Sequence, residues 1–265
     1  MNVIGNTSNK INAIRPRKLH KMRMKLNMVL ILITVLTGLV SVKAGASVNR
    51  RSVNQHQASD ISADTIKRGA YTLIFINKDT MFARLGSVVK HRMIDAFFDV
   101  YPREAKAFNK NTIGKVVFII DPAYDGVAAT DNGQVTYSPS WMLQQPTDLD
   151  VVTHELMHIV QDYGENVGPG WLTEGIADYV RYVFGVDNSG ARWALPPFSS
   201  GQNYDNSYRI TARFLAWIEK NVKPGTVKYL DHQMRSHTYS DDSWKKYTGA
   251  GIDELWRRYV AAPSI

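Results

Sequence analysis

Apolar and polar positions follow two periods along the chain, and the change of period divides it. Tyr71–Ile76 (Tyr-Thr-Leu-Ile-Phe-Ile) and Lys115–Ile120 (Lys-Val-Val-Phe-Ile-Ile) are short β-branched and aromatic runs, the pattern of strands. Between them, apolar residues at Leu85, Val88, Val89, Met93, Ile94, Phe97 and Phe98 recur at helical spacing. This predicts a helix over 84–100, ended or kinked at Pro102, with 103–109 adding a turn or two. Asp131-Asn132-Gly133, between Val127–Thr130 and Gln134–Tyr137, is a hairpin signal, and Pro139 stops the second arm. From residue 148 onward the helical period dominates, over 148–163, 171–184, 205–221, 225–236 and 251–261. Asp148 and Asp150 stand where an N-cap and a first-turn acid belong, and Gly164 with Gly168-Pro169-Gly170 separates the first two helices. The expected fold class is α+β: a small N-terminal mixed or antiparallel sheet with a helix, a mostly helical C-terminal half, and a cleft between them.

Composition changes this picture only at the N-terminus. Residues 1–46 carry eight basic side chains and no acidic one; without them the 32 basic residues fall to 24, equal to the 24 acidic ones. The formal net charge of +8 therefore belongs to this stretch and is no argument for a nucleic-acid partner. Basic residues up to Lys25, an apolar run from Leu26 to Val42 and the small-x-small Ala44-Gly45-Ala46 follow the order of a secretory signal peptide. Residues 1–46 are thus expected to be a cleaved signal or, failing cleavage, an N-terminal anchor, the one case in which the protein would meet a membrane. Residues 47–68 are polar and aperiodic and read as a flexible linker, which leaves 69–265 as the folded domain. The absence of cysteine excludes disulfides, thiolate metal sites and cysteine nucleophiles. No phosphate loop, nucleophile elbow or nucleic-acid motif is present.

The chemistry concentrates in Val151–Gln161. His154 and His158 are four residues apart, so a helix projects both from one face, where two imidazoles reach one zinc at about 2.0–2.1 Å. Glu155 then lies beside the metal rather than on it, which suits a general base. Val151, Val152, Leu156, Ile159 and Val160 make this a buried helix, and buried histidines and a buried glutamate need partners that a metal supplies. A core helix with two incidental histidines is the other reading of these residues alone. A catalytic zinc also needs a third protein ligand and an open position. One large class places that ligand six residues after the second histidine; here Gly164 stands there and has no side chain to donate. Glu174, in Trp171–Val180, is the candidate instead, completing a His-His-Glu set as in thermolysin-type enzymes. Asp178 shares its helical face and can accept the free ring N–H of a ligand histidine. A solvated helix face is the competing reading, against which Leu172, Ile176, Ala177 and Val180 argue.

The stretches His154–His158 and Trp171–Arg181, with Asp125-Gly126-Val127-Ala128, Tyr208–Leu215 and Asp253-Glu254-Leu255-Trp256, resemble the plant basic secretory proteins and their bacterial relatives over roughly residues 70–260. That family is regarded as zinc peptidases of a gluzincin-like kind; net basicity of the mature part, its namesake feature, is missing here. The resemblance implies a zincin-like cleft, Zn2+ on His154, His158 and Glu174, and a secreted (periplasmic or extracellular) enzyme acting on a peptide or protein substrate. Zinc would polarise the scissile carbonyl and a water while Glu155 passes the water proton to the leaving amine. The Gln134–Tyr137 strand is expected to take substrate by strand addition at the cleft rim. Tyr208 is the expected oxyanion donor, with a half-buried core aromatic as its other reading and His232, His237 and Tyr137 as weaker alternatives. His91 reads as surface, Arg181 and Arg213 as salt-bridge formers. Two other functions fit the same residues: a catalytically idle secreted zinc-binding module for defence or cell-surface binding, and a zinc amidase acting on cell-wall peptide. Glu155 argues against the idle module, because zinc binding alone does not need it.

Overall fold

The computed structural model describes residues 59–164 and 167–265, so the expected leader at 1–46 lies outside the described residues. The described strands are β1 (Ser62–Arg68), β2 (Tyr71–Asn77), β3 (Lys115–Ile120), β4 (Ala128–Asp131) and β5 (Gln134–Tyr137). They form one mixed sheet in the order β1-β2-β3-β5-β4, and the fold is α+β as the periodicity implies. The reading of 47–68 as linker is corrected over 62–68: β1 pairs antiparallel with β2, from Ser62 opposite Asn77 to Arg68 opposite Tyr71. Only Ser62 and Ile66 of β1 are even half-buried, so an edge strand that covers little core carries no apolar alternation to be read.

The other end of the sheet positions the site. Asn132 and Gly133, at φ 47° and 77°, make the two-residue turn that the Asp-Asn-Gly run predicts. β3 and β5 are parallel, and the carbonyls of Gly133 and Tyr137 accept from Val117 and Asp121 on that side. Gln134 and Thr136 therefore turn their backbone groups toward Asp131 and Ala129 of β4. By the same alternation the N–H and C=O groups of Ala128 and Thr130 face away from the sheet. The expectation that Gln134–Tyr137 offers an edge to substrate is thus corrected: β5 is paired on both sides, and β4 is the edge.

The described helices are α1 (Thr80–Leu85), α2 (Ser87–Ala107), α3 (Pro139–Gln144), α4 (Val151–Gln161), α5 (Gly170–Phe184), α6 (Tyr208–Asn221), α7 (Thr226–Arg235), α8 (Asp242–Thr248) and α9 (Ile252–Ala261). α2 runs on through Pro102, because the buried Tyr101, Glu104 and Ala105 hold both sides of the break. Leu73, Phe75, Val116, Phe118 and Val135 of the sheet join Met93, Phe97 and Val100 of α2 and Val152, Leu156 and Val160 of α4 in one core. Burial of each such side chain stabilises the fold by roughly 1.5–3 kcal/mol. Among the described residues no helix is long and apolar enough to cross a membrane.

One core residue is costly. Glu104 of α2 is fully buried, and neither carboxylate oxygen has a partner among the described residues. Burial pushes its pKa well above the usual carboxylate range, against the smaller pull of Arg103 and His154. A carboxyl that holds its proton more tightly folded than unfolded supports the fold fully below its unfolded pKa and loses that support as pH rises. Glu104→Gln, which cannot ionise, is therefore expected to gain in melting temperature over the native chain as pH is raised from 5 to 8. A gap between the two that stays constant over this range contradicts the assignment.

Candidate metal centre

α4 forms against its own propensities. It opens on Val151-Val152-Thr153, β-branched residues that a helix tolerates poorly, and it is held by burial: every residue except His158 is buried. The Asp150 carboxylate before it accepts from the backbone N–H groups of Val186 and Asp187, at 2.6 Å each, and from the Thr153 hydroxyl at 3.0 Å. This ties the segment after α5 to the start of α4. On the fixed helix His154 and His158 present Nε2 to Nε2 at 3.1 Å. From α5, Glu174 brings Oε2 to 3.2 Å from His154 Nε2 and 3.5 Å from His158 Nε2. The three residues form a group that could hold a metal ion.

The hydrogen bonds behind the rings fix which nitrogens face inward. His154 Nδ1 lies 2.7 Å from Oδ1 of Asp178, a buried carboxylate that only accepts, so Nδ1 carries the proton. Gln161 donates its amide N–H to the Thr173 carbonyl at 2.9 Å, which turns its Oε1 to His158 Nδ1 at 2.7 Å. Nδ1 of His158 is protonated by the same logic. Both Nε2 atoms then offer lone pairs to the Glu174 carboxylate side. Zinc with tetrahedral ligands at about 2.0–2.1 Å sets its donors roughly 3.3–3.4 Å apart, and the three separations here run from 3.1 to 3.5 Å. Donor chemistry and spacing both fit. Burial opposes charge on His154, but Asp178 and Glu174 outweigh it and hold its pKa up. Burial works against charge on Glu174 too, and the two histidines hold its pKa down.

Glu155 is not part of this triad. It is 5% exposed, and its Oε2 accepts from the Thr130 hydroxyl on β4 at 2.7 Å. Tyr208 arrives from α6 through a close approach: a Cβ on Gly175 would meet Thr211 Cγ2 at 2.2 Å, so only glycine beside Glu174 lets α6 come so near. One turn earlier, the Tyr208 ring lies against the His154 ring, centroids 6.1 Å apart and 17° from parallel. Ser207 and Tyr208 both have positive φ, 68° and 47°, a conformation that costs non-glycine residues energy. At 54% exposed, Tyr208 is not a core aromatic. The Glu174 carboxylate foremost, then burial, raises its pKa, so its hydroxyl remains a donor at neutral pH.

These groups line one cleft of about 1690 Å³, which follows α4 from Asp148 and Arg181 near its start to Asp162 and Tyr163 past its end. The weaker donor candidates lie elsewhere. Tyr137 is fully buried, its hydroxyl without a partner among the described residues, His232 lines a separate hollow of about 540 Å³, and His237 sits in the turn after α7. His91 is exposed and bonds the Ser87 carbonyl. Arg181 pairs with Asp148 as expected, whereas Arg213 bonds the Pro263 carbonyl, not a carboxylate. Sequence reasoning missed Gln161 and Thr130. The first sits three residues beyond His158 on the same helix and could have been found by its spacing; the second lies on the hairpin arm that the turn signal gives, but nothing local shows that it meets Glu155.

No curated protein matches the sequence. Among solved structures, an M1 zinc metallopeptidase from Deinococcus radiodurans is similar at 17% identity and a TM-score of 0.48, over 77% of this chain and 51% of its own. A mutant of the Deinococcus radiodurans enzyme bound to a Tyr-Ser-Ala substrate gives 17% and 0.48 over 77% and 52%. The chain spans about half the length of these structures. The family described as peptidases of plants and bacteria matches residues 41–259, most of the sequence, and the chain belongs to that family.

Proposed function

We propose that the protein is an exported zinc peptidase whose site is His154, His158 and Glu174, with Glu155 as its general base. The observation that carries this reading is the convergence of two imidazole nitrogens, whose rings Asp178 and Gln161 hold from behind, and a carboxylate beside a second, separately held carboxylate. Bound zinc would supply Lewis-acid polarisation of the scissile carbonyl and would acidify the attacking water. Glu155 takes the proton from that water and hands it to the leaving amine. The outward N–H and C=O groups of Thr130 and the N–H of Ala128, whose carbonyl accepts from the Tyr124 hydroxyl at 2.8 Å, bind the substrate backbone as an added strand. Tyr208 donates its hydroxyl to the developing oxyanion from beside His154. The signal-like order of residues 1–46 supports export.

Treatment with a chelator is expected to abolish cleavage of casein and short peptides, and stoichiometric zinc to restore it. Chelator-resistant cleavage contradicts the zinc reading, and cleavage confined to cell-wall peptides would make the enzyme an amidase. For Tyr208→Phe the expected result is a fall in kcat of about 10–100-fold at nearly constant KM, below the 10²–10³ cost of a main oxyanion donor because the ring is exposed. Unchanged kcat removes Tyr208 from the mechanism.

A further inference from the structure

Among the described residues, Thr130 is the one that belongs to the proposed substrate edge and also bonds the proposed base. It lies inside β4, whose partner β5 takes up the backbone of Ala129 and Asp131 and leaves that of Thr130 facing outward. Side chains alternate across a strand, so Thr130 and Ala128 point to one face of the sheet and Ala129 and Asp131 to the other. The face of Thr130 is that of α4. Its hydroxyl lies 2.7 Å from Glu155 Oε2 and 3.1 Å from the Glu155 backbone carbonyl. A hydroxyl has a single proton, and the shorter, charge-assisted bond takes it. No other described side chain bonds that carboxylate.

We propose that Thr130 is a positioning residue: it orients the Glu155 carboxylate through its side chain while its backbone docks the substrate, so that strand addition and placement of the base are set by one residue. The inference rests on Glu155 acting as general base. A carboxylate nearly closed to water and lacking this bond is free to turn about its terminal torsion, and the oxygen that faces the water proton is no longer fixed. Proton transfer in the transition state is lost before substrate binding is, so the effect belongs in kcat.

Thr130→Val keeps the branched shape and removes the donor. Its kcat on a short peptide is expected to fall about 10–100-fold, the range of a hydrogen bond to a charged group, with KM within about two-fold. Thr130→Ser should recover most of the loss. In a Glu155→Gln background Thr130→Val should cost nothing further, because the two changes remove one unit. A Thr130→Val enzyme with native kcat, a loss carried by KM, or the same loss repeated in the Glu155→Gln background overturns the proposal. A second readout needs no turnover. The infrared carboxylate band that disappears in Glu155→Gln should shift in Thr130→Val and return in Thr130→Ser. If the native protein cleaves no peptide but this band behaves so, the peptidase reading fails and the positioning contact stands; a band that does not move overturns the contact.

Discussion

Glu155→Gln is expected to lower kcat by about 10²–10⁴-fold, the contribution of a positioned proton-transfer group, while the protein stays folded and binds zinc as before. The reason is separation of roles within one turn of helix. His154 and His158 project into the triad with Glu174, whereas the Glu155 carboxylate is turned to Thr130 and belongs to a different hydrogen-bond set. Gln keeps the shape and an oxygen for the Thr130 hydroxyl, so neither the α4 packing nor the contact to β4 is lost. Only the capacity to take a proton goes. Elemental zinc analysis together with kcat on a peptide checks this, and a variant with native turnover and bound zinc contradicts the mechanism.

The second large effect is on the metal itself, and it should be graded. Asp178→Asn leaves the ligands in place but weakens the acceptor that holds His154 Nδ1–H at 2.7 Å. Loss of such a supporting partner costs about 10–100-fold in metal affinity. Glu174→Ala removes a ligand atom and the negative charge that faces both imidazoles. Its expected loss is larger than about 100-fold, beyond that range. Competition with a chromogenic chelator orders the three proteins. Equal affinity of Asp178→Asn and Glu174→Ala would mean that Glu174 supports the site from outside.

What was legible in the sequence was local. The two histidines and Glu155 sit on one helix, where spacing alone sets direction, and Glu174 and Asp178 share a face one turn apart for the same reason. The hairpin around Asn132-Gly133 was legible because its turn demands positive φ. What was not legible depends on distant pairing. That β4 and not β5 is the edge follows from the parallel pairing of β5 with β3, which no property of Gln134–Tyr137 announces. Thr130 meets Glu155 across 25 residues of sequence for the same reason. β1 escaped because an edge strand of Asp, Thr, Lys and Arg looks like linker, and the continuation of α2 past Pro102 because tertiary packing overrides a local breaker.

His154, His158 and Glu174 together are proposed to hold one zinc ion. The most direct test is zinc stoichiometry after dialysis of the native protein and Glu174→Ala against a weak chelator. One zinc per native chain and almost none in the variant is the expected result. One zinc retained by Glu174→Ala with native affinity would contradict it.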